Sequence, residues 1–137
     1  MVYKYRKVII LSSLLIFSLI SCVEKKTDDP VKSYKFWSGE APGKDIQVIH
    51  GKYWQSASFS KEYIVYLEIV ANPDWKQQYI NQNHLVSTNE DILFPTDAPL
   101  WFNPQKNFKM WKQLSDNSSR YFEDLKTGHL FIFEEQL

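Results

Sequence analysis

The sequence predicts an α+β domain: an antiparallel sheet of about four strands, one main helix packed on it, and a C-terminal β-hairpin. Three observations carry this. Residues 62–71 (EYIVYLEIVA) are β-branched and aromatic on both alternating faces, as in a central strand. Asn72-Pro73-Asp74 follows at once: a capping amide, a proline at the first helical position and an acid at the positive end of the dipole. Near the C-terminus, two alternating runs flank Lys126-Thr127-Gly128, where Gly supplies the left-handed residue of a hairpin turn.

In chain order, 45–50 reads as a short strand ending at Gly51, and 52–59 as a second, weakened by Ser56 and Ser58. The strand over 62–71 carries Tyr63, Val65, Leu67 and Ile69 on one face. Ile64, Tyr66 and Val70 share the other, interrupted by Glu68. The spacing of Trp75 and Tyr79 predicts a helix over about 73–83 with an aromatic stripe on the sheet. Residues 84–99 read as loop. Asn103-Pro104 repeats the capping signature, so a second short helix is expected over about 104–113. Strands over 119–124 and 129–134 complete the hairpin, with Glu134 and Glu135 on opposite faces.

Ahead of this domain stands a different kind of sequence. Lys4, Arg6 and Lys7 precede an apolar run over 8–20, which ends in Leu19-Ile20-Ser21-Cys22. A basic head, a short apolar run and small residues at the cut are the parts of a secretory signal peptide. Thirteen residues at ~1.5 Å each are too short for a ~30 Å hydrocarbon core. Leu-Ile-Ser-Cys resembles the lipobox of bacterial lipoproteins. The resemblance implies cleavage before Cys22, lipid on the Cys22 thiol and amine, and export to the cell envelope. Val23 stands where enterobacterial lipoproteins retained in the inner membrane carry Asp, which implies the outer membrane. The chain thus divides into a signal peptide over 1–21, a lipidated Cys22 with a charged, flexible tether over 22–33, and one α+β domain over 34–137.

Composition narrows the function. Cys22 is the one cysteine, so no intramolecular disulfide is possible. From Cys22 onward 13 basic residues face 16 acidic ones, which gives no electrostatic footprint for nucleic acid. Gly39 to Lys44 is no phosphate loop: three residues, not four, separate its glycines, and Asp45 follows the lysine. No HExxH, CxxC or GxSxG motif occurs, so no catalytic residue, metal ligand or cofactor is assigned. The three histidines, His50, His84 and His129, form no close pair; His50 would form an acid–base cluster with Glu40 and Asp45 if the turn between them folds back.

Five Trp, eight Tyr and nine Phe dominate the apolar content, and most must build the core. Trp101 and Phe102 are adjacent in a proline-bracketed loop and cannot easily both point inward, so they are the first candidates for a partner-binding patch. Trp54, Trp37 and Tyr53 follow. The expectation is a membrane-anchored envelope lipoprotein whose aromatic-rich domain binds a protein partner, as an inhibitor or immunity protein does. The alternatives are a small hydrolase of envelope polymers using Glu/His chemistry, and a carrier of a lipid or sugar.

Overall fold

The computed structural model describes residues 23–137. These residues form one antiparallel sheet of seven strands: β1 (Lys25–Thr27), β2 (Ile46–Gln55), β3 (Tyr63–Ala71), β4 (Leu85–Thr88), β5 (Lys109–Gln113), β6 (Arg120–Glu123) and β7 (His129–Gln136). Their order is β1-β2-β3-β7-β6-β5-β4. Two meanders, β1–β3 and β4–β7, are therefore joined through the central pair β3–β7. Helices α1 (Pro30–Ser38) and α2 (Pro73–Gln82) lie on one face. Among the described residues no helix is long and apolar enough to cross a membrane.

The four-strand sheet with one main helix is thus corrected to seven strands and two short helices. The expected strands 45–50 and 52–59 are one strand, β2, with a bulge between Val48 and His50. The helix expected over 104–113 is replaced by a turn and β5. There, alternation wins over the Asn-Pro signature: Met110 pairs with Phe122 and Trp111 with Tyr121, one toward each face. Lys109 Nζ lies 4.0 Å over the Trp111 ring. The stretch 85–88, read as loop, forms edge strand β4.

The segment expected as a tether is ordered from Lys25. β1 pairs with β2, Lys25 opposite Gln55 and Thr27 opposite Tyr53. Asp29 then caps α1, its side chain accepting from Lys32 N–H at 2.7 Å, with Pro30 in the first turn. Gly39, at φ 83°, closes the helix in the left-handed conformation. α1 sits very close to β2. A Cβ built on Gly51 would stand 2.7 Å from Ser33 Cβ, so only glycine fits there.

Other elements form as read. α2 begins at the Asn72 cap, which accepts from Trp75 N–H at 2.7 Å. The β6–β7 hairpin turns at Gly128, φ 76°, where Asp124 accepts from Lys126 N–H and Thr127 Oγ1. β3 is covered on both faces. Val65, Leu67, Ile69, Tyr121 and Ile132 face the helices. Tyr66, Phe102, Phe122, Phe131 and Phe133 form a second core under the segment 89–108. The second layer is the one that sequence patterning did not supply.

Candidate functional site

Glu134 lies on the helix-facing side of β7, two residues beyond Ile132, and opposite Val65. Four aromatic donors from four different elements meet on it. Trp37 Nε1–H (2.8 Å) and Tyr63 O–H (3.0 Å) donate to Oε2. Tyr121 O–H (2.6 Å) and Tyr79 O–H (3.3 Å) donate to Oε1. Each carboxylate oxygen thus accepts two hydrogen bonds, which fills its strong acceptor directions. Burial, and then the Glu134 charge, push the Tyr63, Tyr79 and Tyr121 hydroxyls above the ordinary tyrosine range. These tyrosines stay protonated donors and cannot act as bases at neutral pH.

The cluster forms the wall of an open cleft of about 820 Å³ between the end of α1, α2 and the adjoining ends of β3, β6 and β7. Trp75 and Tyr79 stack at 5.1 Å and 9°, and Trp37 reaches Tyr79 at 5.8 Å across from α1. The rim is rich in amides, Gln78, Gln82, Asn83, Gln113 and Gln136. Among the described residues three acids, Glu134, Glu135 and Asp116, line it, and no Lys, Arg or His does. Burial pushes the Asp116 carboxyl up, but hydrogen bonds from Ser119 and Ser118 hold it below the usual range, so it is a fixed negative charge. The cleft therefore favours a neutral or cationic group and repels anions.

A second acid sits on the opposite face. Glu68, nearly buried in the middle of β3, lies between two imidazoles: His50 Nδ1 is 2.7 Å from Oε2 and His129 Nδ1 is 2.7 Å from Oε1. An ionised carboxylate can only accept, so both Nδ1 atoms carry the proton and both Nε2 atoms point away from it. Trp101 stacks on His50 at 5.0 Å and 18°. Sequence placed His50 with Glu40 and Asp45. The strand register brings Glu68 to it instead, directly across the β2–β3 pair. Among the described residues no hydroxyl or thiol joins this trio through a hydrogen bond to either ring. No group of three or more His, Cys, Asp or Glu among them is arranged to hold a metal ion, this trio included.

The aromatic candidates separate. Phe102 is 5 % exposed and contacts Tyr66, Phe94, Phe122, Phe131 and Phe133 edge-on or tilted, so its assignment to a binding surface is corrected to the core. Trp101, half-buried, lies flat on His50. Trp54 is half-buried on the loop-facing side and donates its indole N–H to Glu24. Tyr53 is buried under α1 beside Phe36. Trp37 alone of the candidates belongs to the cleft. Cys22 lies outside the described residues. Sequence reasoning missed Glu134, Tyr63, Tyr79 and Tyr121 as one group, because they are brought together from three strands and a helix and share no spacing.

No family model, curated protein or solved structure matches this chain.

Proposed function

We propose that the chain is a lipid-anchored binding module of the cell envelope, and that the cleft around Glu134 receives a neutral or positively charged group of its partner. One observation carries the reading. A carboxylate fixed by four aromatic donors stands in an open cleft whose lining has acids and no base. A general acid or nucleophile needs a free lone pair or a labile proton, and Glu134 has its strong acceptor directions filled by donors that hold their protons. The arrangement supports binding over hydrolysis. The polar rim supports recognition of an exposed group over carriage of a lipid. A lysine or arginine side chain of a secreted enzyme or toxin matches this chemistry, its cation set over the Trp75 and Tyr79 faces. Lipidation of Cys22 supplies the anchor.

The test is a fluorescence titration with a short oligolysine, an oligoglutamate of equal length and a neutral oligosaccharide. Oligolysine is expected to perturb the cleft tryptophans. Trp75→Ala, at the rim and outside the Glu134 hydrogen bonds, is expected to weaken that binding roughly tenfold. Equal binding of oligoglutamate, or no response to any of the three, would sink the assignment.

A further inference from the structure

The ordered N-terminal strand restricts where a lipid anchor can lie. Lys25 is paired with Gln55, so the chain joins the sheet beside the last residue of β2. Three peptide units separate Cys22 from Lys25. At no more than about 3.6 Å per residue they span at most about 11 Å. The turn over residues 56–62 leaves β2 at this same end. It is braced internally: Ser56 N–H donates to Glu62 O (2.9 Å), Glu62 N–H to Ser60 O (2.7 Å) and Ser58 Oγ–H to Ser60 O (2.9 Å). That bracing holds Phe59 outward, 90 % exposed, in a turn otherwise made of small and polar residues. An aromatic side chain held this far into solvent gains nothing for the fold.

We propose that the end of the sheet carrying Phe59 rests on the bilayer that holds Cys22, with the Phe59 ring inserted among the lipids. The inference rests on the reading that Cys22 is lipidated. Its occupant follows from chain length: Lys25 lies within about 11 Å of the acylated residue, and Phe59 stands in the turn that leaves its strand partner Gln55. Trp54, opposite Lys26 in the β1–β2 register, stands on the same end and suits the headgroup level, where Trp concentrates. Lys25, Lys26 and Lys61 against Glu24 and Glu62 leave one net positive charge around the anchor and turn, offset by the acids of the cleft at the same end. That balance is small, and the inserted ring does the docking. The cleft opens toward this end as well, since Tyr63, Asp116, Gln136 and Leu137 line it. A bound partner is therefore held close to the membrane.

The experiment uses the full chain, processed in cells and reconstituted in phosphatidylethanolamine–phosphatidylglycerol vesicles. Lipidated Cys22 has no free thiol and is the one native cysteine, so an introduced cysteine takes the label alone. A polarity-sensitive fluorophore is placed at Ala57→Cys, exposed in the same turn with Phe59 kept, and, in a second sample, at Leu125→Cys. Leu125 is also exposed, at 70 %, but sits in the turn at the other end of the sheet, about 30 Å away along the strands. Mass spectrometry of each sample reports the state of Cys22. The expected result is a lipid on Cys22 and a blue-shifted label at 57, quenched several-fold more strongly by spin-labelled lipid than the label at 125, with the difference lost when Phe59→Ser is added. A lipidated Cys22 with both labels in water overturns the docking and leaves the anchor standing. Equal quenching at 57 and 125 overturns the orientation, and an unmodified Cys22 overturns anchor and docking together.

Discussion

The two faces of the sheet each hold an acid on a central strand, Glu68 buried and Glu134 half-buried, and they treat it differently. Glu68 on β3 is clamped by two imidazoles beside a continuous aromatic core, covered by the segment 89–108. Glu134 on β7 is held by a Trp and three Tyr, under two short helices that leave an opening between them. α1 packs on β2 and β3, and α2 beside β4, so the middle of that face is bridged by Trp37 against Tyr79 rather than filled. Where the acid itself is covered, it ties strands together. Where it is not, a similar acid faces solvent-filled space with its charge fixed in place. Position in the layering, more than residue type, separates a structural carboxylate from a candidate recognition group.

The comparison breaks most visibly at Phe102. Phe102→Ala is expected to cost about 3–5 kcal/mol, because the ring is the hub of the loop-side aromatic cluster. A drop of that size in the denaturant midpoint checks it, and an unchanged midpoint would mean that the segment 89–108 does not seal this face. Tyr121→Phe sharpens the other side. It removes the shortest bond to Glu134 and leaves Oε1 with Tyr79 alone, an expected loss of about 1.5–3 kcal/mol for a bond to a charged group. Equilibrium unfolding of this variant beside Phe102→Ala ranks the two faces directly.

The smallest effect at neutral pH is also the most specific. Tyr63, Tyr79 and Tyr121 have folded-state pKa values raised above the unfolded value of about 10. A raised group contributes its stability in full below the unfolded pKa and loses it as pH climbs above that value toward the folded one. Stability should therefore fall as pH is raised beyond about 10, with tyrosinate absorbance appearing together with unfolding. Tyr121→Phe should show a shallower alkaline decline than the wild type. Parallel declines would show that Tyr121 does not resist ionisation in the fold.

Local signals were legible where one short stretch decides the outcome. Asn72-Pro73 announced α2, and Gly128 announced the last hairpin. Asp29-Pro30 followed by Gly39 carries the same signature for α1, but the surrounding charge made the stretch read as a tether. β4 and β5 escaped because four or five residues, some of them lysines, give too little alternation to stand out; they become strands through their neighbours. Trp101 and Phe102 do separate, at a turn closed by Phe102 N–H to Pro99 O, but Phe102 fills the core and Trp101 rests on His50. The Glu134 cluster could not be read in advance. Its five members are spread over residues 37–134: the β3–β7 and β6–β7 registers bring Tyr63, Tyr121 and Glu134 together, and the packing of the two helices brings Trp37 and Tyr79.

The sheet order has a consequence for the order in which the chain becomes safe. β3 ends at Ala71, yet its second neighbour, β7, does not begin until His129. A chain delivered N-terminus first can form the β1–β3 meander early, but it then presents β3 with a bare edge and an uncovered apolar face for the length of more than fifty further residues. Pairings this distant are slow, and unpaired strands of this composition stick to one another. During its emergence the half-made sheet is open to mispairing at that edge until β7 arrives.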